Sequence, residues 1–114
     1  MNRRMWIAAL AAALVPLVAR AEVDKKTERT WKAKCASCHG VDGKGKTDQA
    51  QKMKIADYTD AAWQKAHSDA DIKKAISEGV KREKDGVKQE MDAFKESLSP
   101  EQVDQLVAYI RSLK

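Results

Sequence analysis

The chain has 114 residues, enough for one small domain, and carries 22 Lys and Arg against 17 Asp and Glu. Removing residues 1–21 takes away Arg3, Arg4 and Arg20 and no acid; 22 basic residues less these three leaves 19 against 17, a net +2, too weak a positive field for a nucleic-acid binder. With a single Phe and few other aromatics, the core is meagre, and a domain this small needs a staple: disulfide, metal or cofactor.

The chain opens "MNRRMWIAALAAALVPLVARAEV". Arg3 and Arg4 form a basic start, Met5 to Val18 is an apolar run without charge, and Ala19-Arg20-Ala21 has the small-x-small pattern of a signal-peptidase site. The run is shorter than the ~20 residues of a spanning helix. It reads as a secretory signal over residues 1–21 cut after Ala21, with residues 22–114 as the mature domain. An uncleaved signal would tether the same domain to the outer face of the inner membrane. No cysteine follows the run directly, which excludes a lipoprotein anchor.

Helix signals dominate the rest, and no window shows sustained strand alternation. Val23 to Ala36 is expected to be helical, with Trp31 one turn before Cys35. "HGVDGKGKTDQAQKMK" carries three glycines and reads as a sharply turning loop. A short helix is expected over Asp60 to Ala66 around Trp63. "SDADIKKAISEGV" predicts a helix capped by Ser68, with Asp69 and Asp71 in its first turn, an apolar face of Ile72, Ala75 and Ile76, and Gly79 at its exit. "KREKDGVKQEMDAFKES" reads as a polar loop whose large apolar residues are Val87, Met91 and Phe94. The last helix is the clearest: Ser99 caps it, Pro100 opens it, Gln102 completes a capping box, and Val103, Leu106, Val107, Ile110 and Leu113 recur at helical steps.

Both cysteines and one of the two histidines fall in "CASCH", Cys35 to His39. A structural zinc or an iron–sulfur cluster needs four protein ligands, and the remaining histidine, His67, is far away on a polar stretch. A thioredoxin-like dithiol needs a strand before it and a βαβ setting. A disulfide closes only a tiny loop, adds little restraint and leaves the histidine unexplained. C-x-x-C-H is the pattern in which two thiols add across the vinyl groups of haem and the next imidazole ligates the iron. A covalently tied apolar disc also supplies the missing staple.

Four stretches of the mature chain then resemble the monohaem class I cytochromes c, the small soluble periplasmic electron carriers. "WKAKCASCHG" is similar to their N-terminal helix and "GVDGKGKT" to the loop after their haem histidine. "SDADIKKAISEGV" resembles the helix before their methionine loop, and "EMDAFKESLSPEQVDQLVAYIRSLK" that loop running into the C-terminal helix. The resemblance implies an all-α cytochrome c fold of three to five helices around one haem c joined to Cys35 and Cys38. His39 would be the proximal ligand and Met91 the distal one, with Met53 and His67 as rivals. A thioether in a polar loop has little reason for burial unless it binds something soft.

The chain departs from the family pattern in three places. Asp92 stands where many relatives have proline after the methionine. No proline occurs between His39 and Pro100, so another carbonyl must orient the proximal imidazole. Thr27 stands in place of the glycine that lets the terminal helices cross closely; the Trp31 and Tyr109 faces are still expected to meet. Tyr58 and Trp63 either face the haem propionates or pack the core, and Lys44, Lys46, Lys88 and Lys95 are candidates for a rim that docks acidic redox partners. The implied function is one-electron transfer by a periplasmic monomer that is a carrier and not an enzyme, with no nucleic acid and no small-molecule substrate. The alternatives are a haem catalyst or sensor with an open sixth position, a subunit of a larger oxidoreductase, and a haem-free dithiol oxidoreductase. A chain without its haem should show a hollow between His39 and Met91.

Overall fold

The computed structural model describes residues 25–113. The signal read over 1–21, and the start of the N-terminal helix at Val23, lie outside them. The described chain runs α1 (Lys25–Lys34), α2 (Ala36–His39), α3 (Asp48–Met53), α4 (Ala61–Ala66), α5 (Asp69–Glu78), β1 (Val80–Lys84), β2 (Val87–Met91) and α6 (Pro100–Ser112).

The expectation of an all-α fold with three to five helices needs correction. There are six helices among the described residues, and the polar loop before the last helix is a two-stranded antiparallel hairpin pairing Val80 with Met91 and Lys84 with Val87. Its turn is Asp85-Gly86, both with positive φ (52° and 77°), the two-residue geometry whose twist matches that of the strands. Apart from Val80, Val87 and Met91 the strands are polar, so no apolar alternation announced them. The extra helix, α3, lies within the glycine-rich segment. The Thr47 hydroxyl accepts from the Ala50 amide (3.0 Å) at its start, and Ala50 is its one buried residue.

α6 forms as its sequence dictates. The Ser99 hydroxyl accepts from the Gln102 amide (3.2 Å), while the Gln102 side chain accepts from the Ser99 amide (2.8 Å), a reciprocal cap that satisfies two otherwise orphaned donors. Its face of Val103, Leu106, Val107, Tyr109 and Ile110 is buried, together with Trp31 of α1 and Ile72 and Ile76 of α5. α1 crosses α6 at Thr27, which is buried and whose hydroxyl donates to Gln105 Oε1 (3.3 Å). The expected meeting of Trp31 and Tyr109 is present, with ring centroids 5.3 Å apart.

The short α4 is held from outside. Arg111 near the end of α6 donates to the Gln64 carbonyl (2.6 Å) and to that of His67, and pairs with Asp69 of α5 (2.7 Å). Gln64 Nε2 in turn donates to the carbonyls of Tyr58 and Ile110 (2.6 and 3.0 Å). A cation here satisfies the carbonyls that a helix leaves unpaired at its C-terminus.

Candidate functional site

α1 and α2 are nearly continuous. The Cys35 amide donates to the Trp31 carbonyl (2.9 Å), and the His39 amide to that of Cys35 (3.0 Å). Cys35 and Cys38 therefore stand one helical turn apart with His39 next to the second. Gly40 then takes φ +84° and turns the chain away. The Trp31 indole Nε1 donates to the Gly40 carbonyl (3.0 Å), so the aromatic one turn before Cys35 locks the backbone just after His39. The Thr47 hydroxyl donates to the Cys38 carbonyl and draws the start of α3 against the same turn.

A cavity of about 530 Å³ opens beside these residues, within the range of cofactor sites. Cys35, Cys38 and His39 line it on one side, and Met91, the last residue of β2, contributes from the hairpin. Met91 is thus at a strand end and not in an irregular loop. Both rivals are also present: Met53 at the end of α3 and the exposed His67 line the same cavity. Tyr58 and Trp63 complete one wall, their rings 4.2 Å apart; Tyr58 lies 5.0 Å from the His39 ring and Trp63 4.8 Å from that of His67.

Lys44, Lys46, Lys88 and Lys95 are all exposed, but they do not line the cavity. The cations that do are Lys34, Lys54, Arg82 and Lys84, interspersed with the acids Asp71, Glu90 and Asp92. Sequence position put lysines in the right loops but could not tell which way each loop faces.

The electrostatics suit a neutral donor set. Burial lowers His39 from 6.5 to about 4, which keeps the imidazole neutral with a lone pair free for a metal. Its Nδ1 is buried without a hydrogen-bond partner. The carbonyl expected to orient the ring is therefore not in place, and the ring is packed between those of Trp31 and Tyr58, with centroids 5.8 and 5.0 Å away. Burial, opposed by Lys34 and reinforced by Cys38, raises the Cys35 thiol to about 11. A redox dithiol needs the opposite, a depressed thiol. The residues thus fit a haem: two thiols one turn apart, a neutral imidazole, a thioether from the hairpin, and apolar volume between.

The strand carrying Met91 is anchored at several points. The Phe94 and Lys95 amides donate to the Ile76 and Ser77 carbonyls (3.0 and 3.1 Å) at the end of α5. Gly79, with φ +76°, lets that helix end approach so closely that a Cβ on it would lie 2.5 Å from the Met91 carbonyl oxygen. Proline after the methionine is replaced here by a hairpin and a helix end.

Among the described residues no helix is long and apolar enough to cross a membrane. The family model "Cytochrome c" matches residues 25–114. No curated protein sequence matches the chain. Among the solved structures similar to it are two that share 35% identity and cover 77% of this chain. One is "KustC0563 c-type cytochrome", 96% covered with a TM-score of 0.65; the other is a mutant of Kustc0563, 98% covered at 0.63. Matched over its whole described length, and bearing the thiol pair, the imidazole and the hollow beside them, the chain belongs to the cytochrome c family.

Proposed function

We propose that the protein is a periplasmic one-electron carrier holding a single haem c through thioethers to Cys35 and Cys38, with His39 and Met91 as axial ligands. The observation that carries this reading is the cavity of about 530 Å³ bordered by all four residues. When bound, the haem iron supplies reversible one-electron chemistry, and a methionine opposite histidine favours the reduced state. The chain's own residues set the conditions for that chemistry. Trp31 fixes the turn after His39, the hairpin brings in Met91, and Ile72, Ile76, Leu106 and Ile110 provide an apolar wall that excludes water. Export is supported by the basic start, apolar run and Ala-x-Ala of residues 1–21. The cations at the cavity mouth, Lys34, Lys54, Arg82 and Lys84, favour encounter with acidic redox proteins and act on association rate more than on affinity.

The test is the absorption spectrum of the oxidised and reduced protein together with carbon monoxide binding. A carrier with Met91 bound shows the c-type bands and the weak iron–sulfur charge-transfer band, and resists carbon monoxide at neutral pH. Prompt carbon monoxide binding by the unaltered ferrous protein would instead indicate an open sixth position and a catalyst or sensor. Removing Met53 leaves the charge-transfer band in place, and its loss there would transfer the ligand role to Met53; a band absent from the unaltered protein and a sixth ligand lost in a His67→Ala variant would transfer it to His67.

A further inference from the structure

The hairpin is an unusual carrier for an iron ligand. Two-stranded hairpins are marginal on their own, and where most strand positions are polar the register is weakly specified. A slip of one residue would turn Met91 away from the cavity. Something other than apolar patterning must hold β2 in place.

Gln89 is the buried residue of β2, 8% exposed, two positions before Met91 and hence on the same face of the strand. Its Nε2 donates to the Met53 carbonyl at 2.8 Å and to that of Lys54 at 3.4 Å, while its Oε1 accepts from Arg82 Nε at 2.7 Å. The orientation of the amide is unambiguous, since an arginine only donates and a carbonyl only accepts. Met53 and Lys54 end α3, where Lys54 takes φ 51°, and their carbonyls are among those a helix cannot pair internally. Gln89 therefore caps α3 from the neighbouring strand, and Arg82, its partner on β1, holds the amide in the orientation that does so.

We propose that Gln89 is the positioning residue for the sixth ligand: its bonds to the end of α3 pin the register of β2 and keep the Met91 thioether turned into the haem cavity. This rests on Met91 being that ligand. Without the pin, β2 drifts from α3 and the methionine-off form becomes more populated. Carbon monoxide competes for the same position, so its apparent affinity rises in proportion to that population.

The experiment measures carbon monoxide affinity and charge-transfer band intensity in the haem-loaded protein and four variants. Gln89→Glu keeps the size and the acceptor for Arg82 but presents an oxygen to two carbonyls. It is expected to bind carbon monoxide about tenfold more tightly than the unaltered protein, the worth of one buried hydrogen bond, with a weakened band. Glu83→Ala on the exposed side of β1 leaves both unchanged. Ser99→Ala, which destabilises the molecule away from the hairpin, lowers the unfolding temperature without moving either, separating positioning from general stability. Met91→Ala sets the ceiling. If Met91→Ala binds carbon monoxide no better than the unaltered protein, the ligand assignment fails and this inference with it. If Met91→Ala binds tightly but Gln89→Glu matches the unaltered protein, the ligand assignment stands and the positioning role is overturned. Should Gln89→Glu not assemble, the unaltered protein decides: the Gln89 side-chain amide protons must exchange far more slowly than those of the exposed Gln51, and equal rates would refute the pin.

Discussion

Gly79→Ala is the sharpest perturbation of the methionine strand. Gly79 has φ 76° and ψ −179°, a region that is essentially glycine's alone and costs other residues about 1–3 kcal/mol. The added methyl would also lie 2.5 Å from the Met91 carbonyl oxygen and 2.9 Å from the Ala93 amide. Both are backbone atoms that cannot swing aside, so overpacking adds about 1–3 kcal/mol more. The stiffer unfolded chain returns roughly 0.4–1 kcal/mol. The net loss is about 1–5 kcal/mol, centred near 3, with Tm falling by roughly 4–8 °C per kcal/mol for a domain of this size. Gly86→Ala isolates the backbone cost: φ there is 77° with nothing within 4 Å of the new Cβ, and about 1–2 kcal/mol is expected. Thermal unfolding of both haem-loaded variants, followed by circular dichroism, provides the comparison. If Gly79→Ala melted as high as Gly86→Ala, the close approach of α5 to the Met91 strand would be refuted.

Arg111→Ala should destabilise by about 1.5–3 kcal/mol, the range for charge-assisted bonds, because carbonyls of Gln64 and His67 lose their donor; it should also loosen Trp63, which denaturant titration with fluorescence would register. Thr27→Gly should destabilise by about 1–2 kcal/mol, since a glycine in a helix interior costs roughly 0.5–1 kcal/mol against alanine and the crossing already accommodates Thr27; a gain in Tm would show that α1 and α6 are held apart. Burial raises Tyr58 to about 12 and also raises Tyr109, the two tyrosines of the chain. Both phenols should therefore ionise at higher pH in the folded protein than in the unfolded chain, as phenolate absorbance would report. For Tyr58 the neutral form is favoured on folding, so its contribution is complete below pH 10 and is lost as pH rises toward 12; a phenolate midpoint near 10 in the folded state would contradict this.

The sequence made local chemistry legible and left distant chemistry hidden. The ends of α5 and α6 could be read because their caps, Ser68, Gly79, Ser99 and Gln102, lie within four residues of what they cap. The thiol pair with its adjacent imidazole could be read as a unit because Cys35, Cys38 and His39 occupy one turn and a half. α3 escaped notice because its stability rests on a capping Thr47 and one buried Ala50, too little for a periodic signal. The hairpin left a single clue, the Asp85-Gly86 pair, in a stretch otherwise reading as solvated loop. Gln89 and Arg111 were invisible for a different reason. Their partners are backbone carbonyls at least 35 residues away, and no residue type in the sequence marks a carbonyl as needing a donor. Met91 was located through family likeness; the feature that holds it, a strand clamped between two helix ends, required the three-dimensional arrangement.

The central claim is that a haem is joined to the turn that follows α1, at Cys35 and Cys38, and fills the hollow beside it. Intact-mass and peptide mass spectrometry of the exported protein tests it most directly. The fragment containing Cys35 and Cys38 should carry the mass of one haem, with neither thiol open to alkylation after reduction. The same fragment found without added mass, with both thiols alkylated after reduction in a folded and colourless protein, would contradict the account.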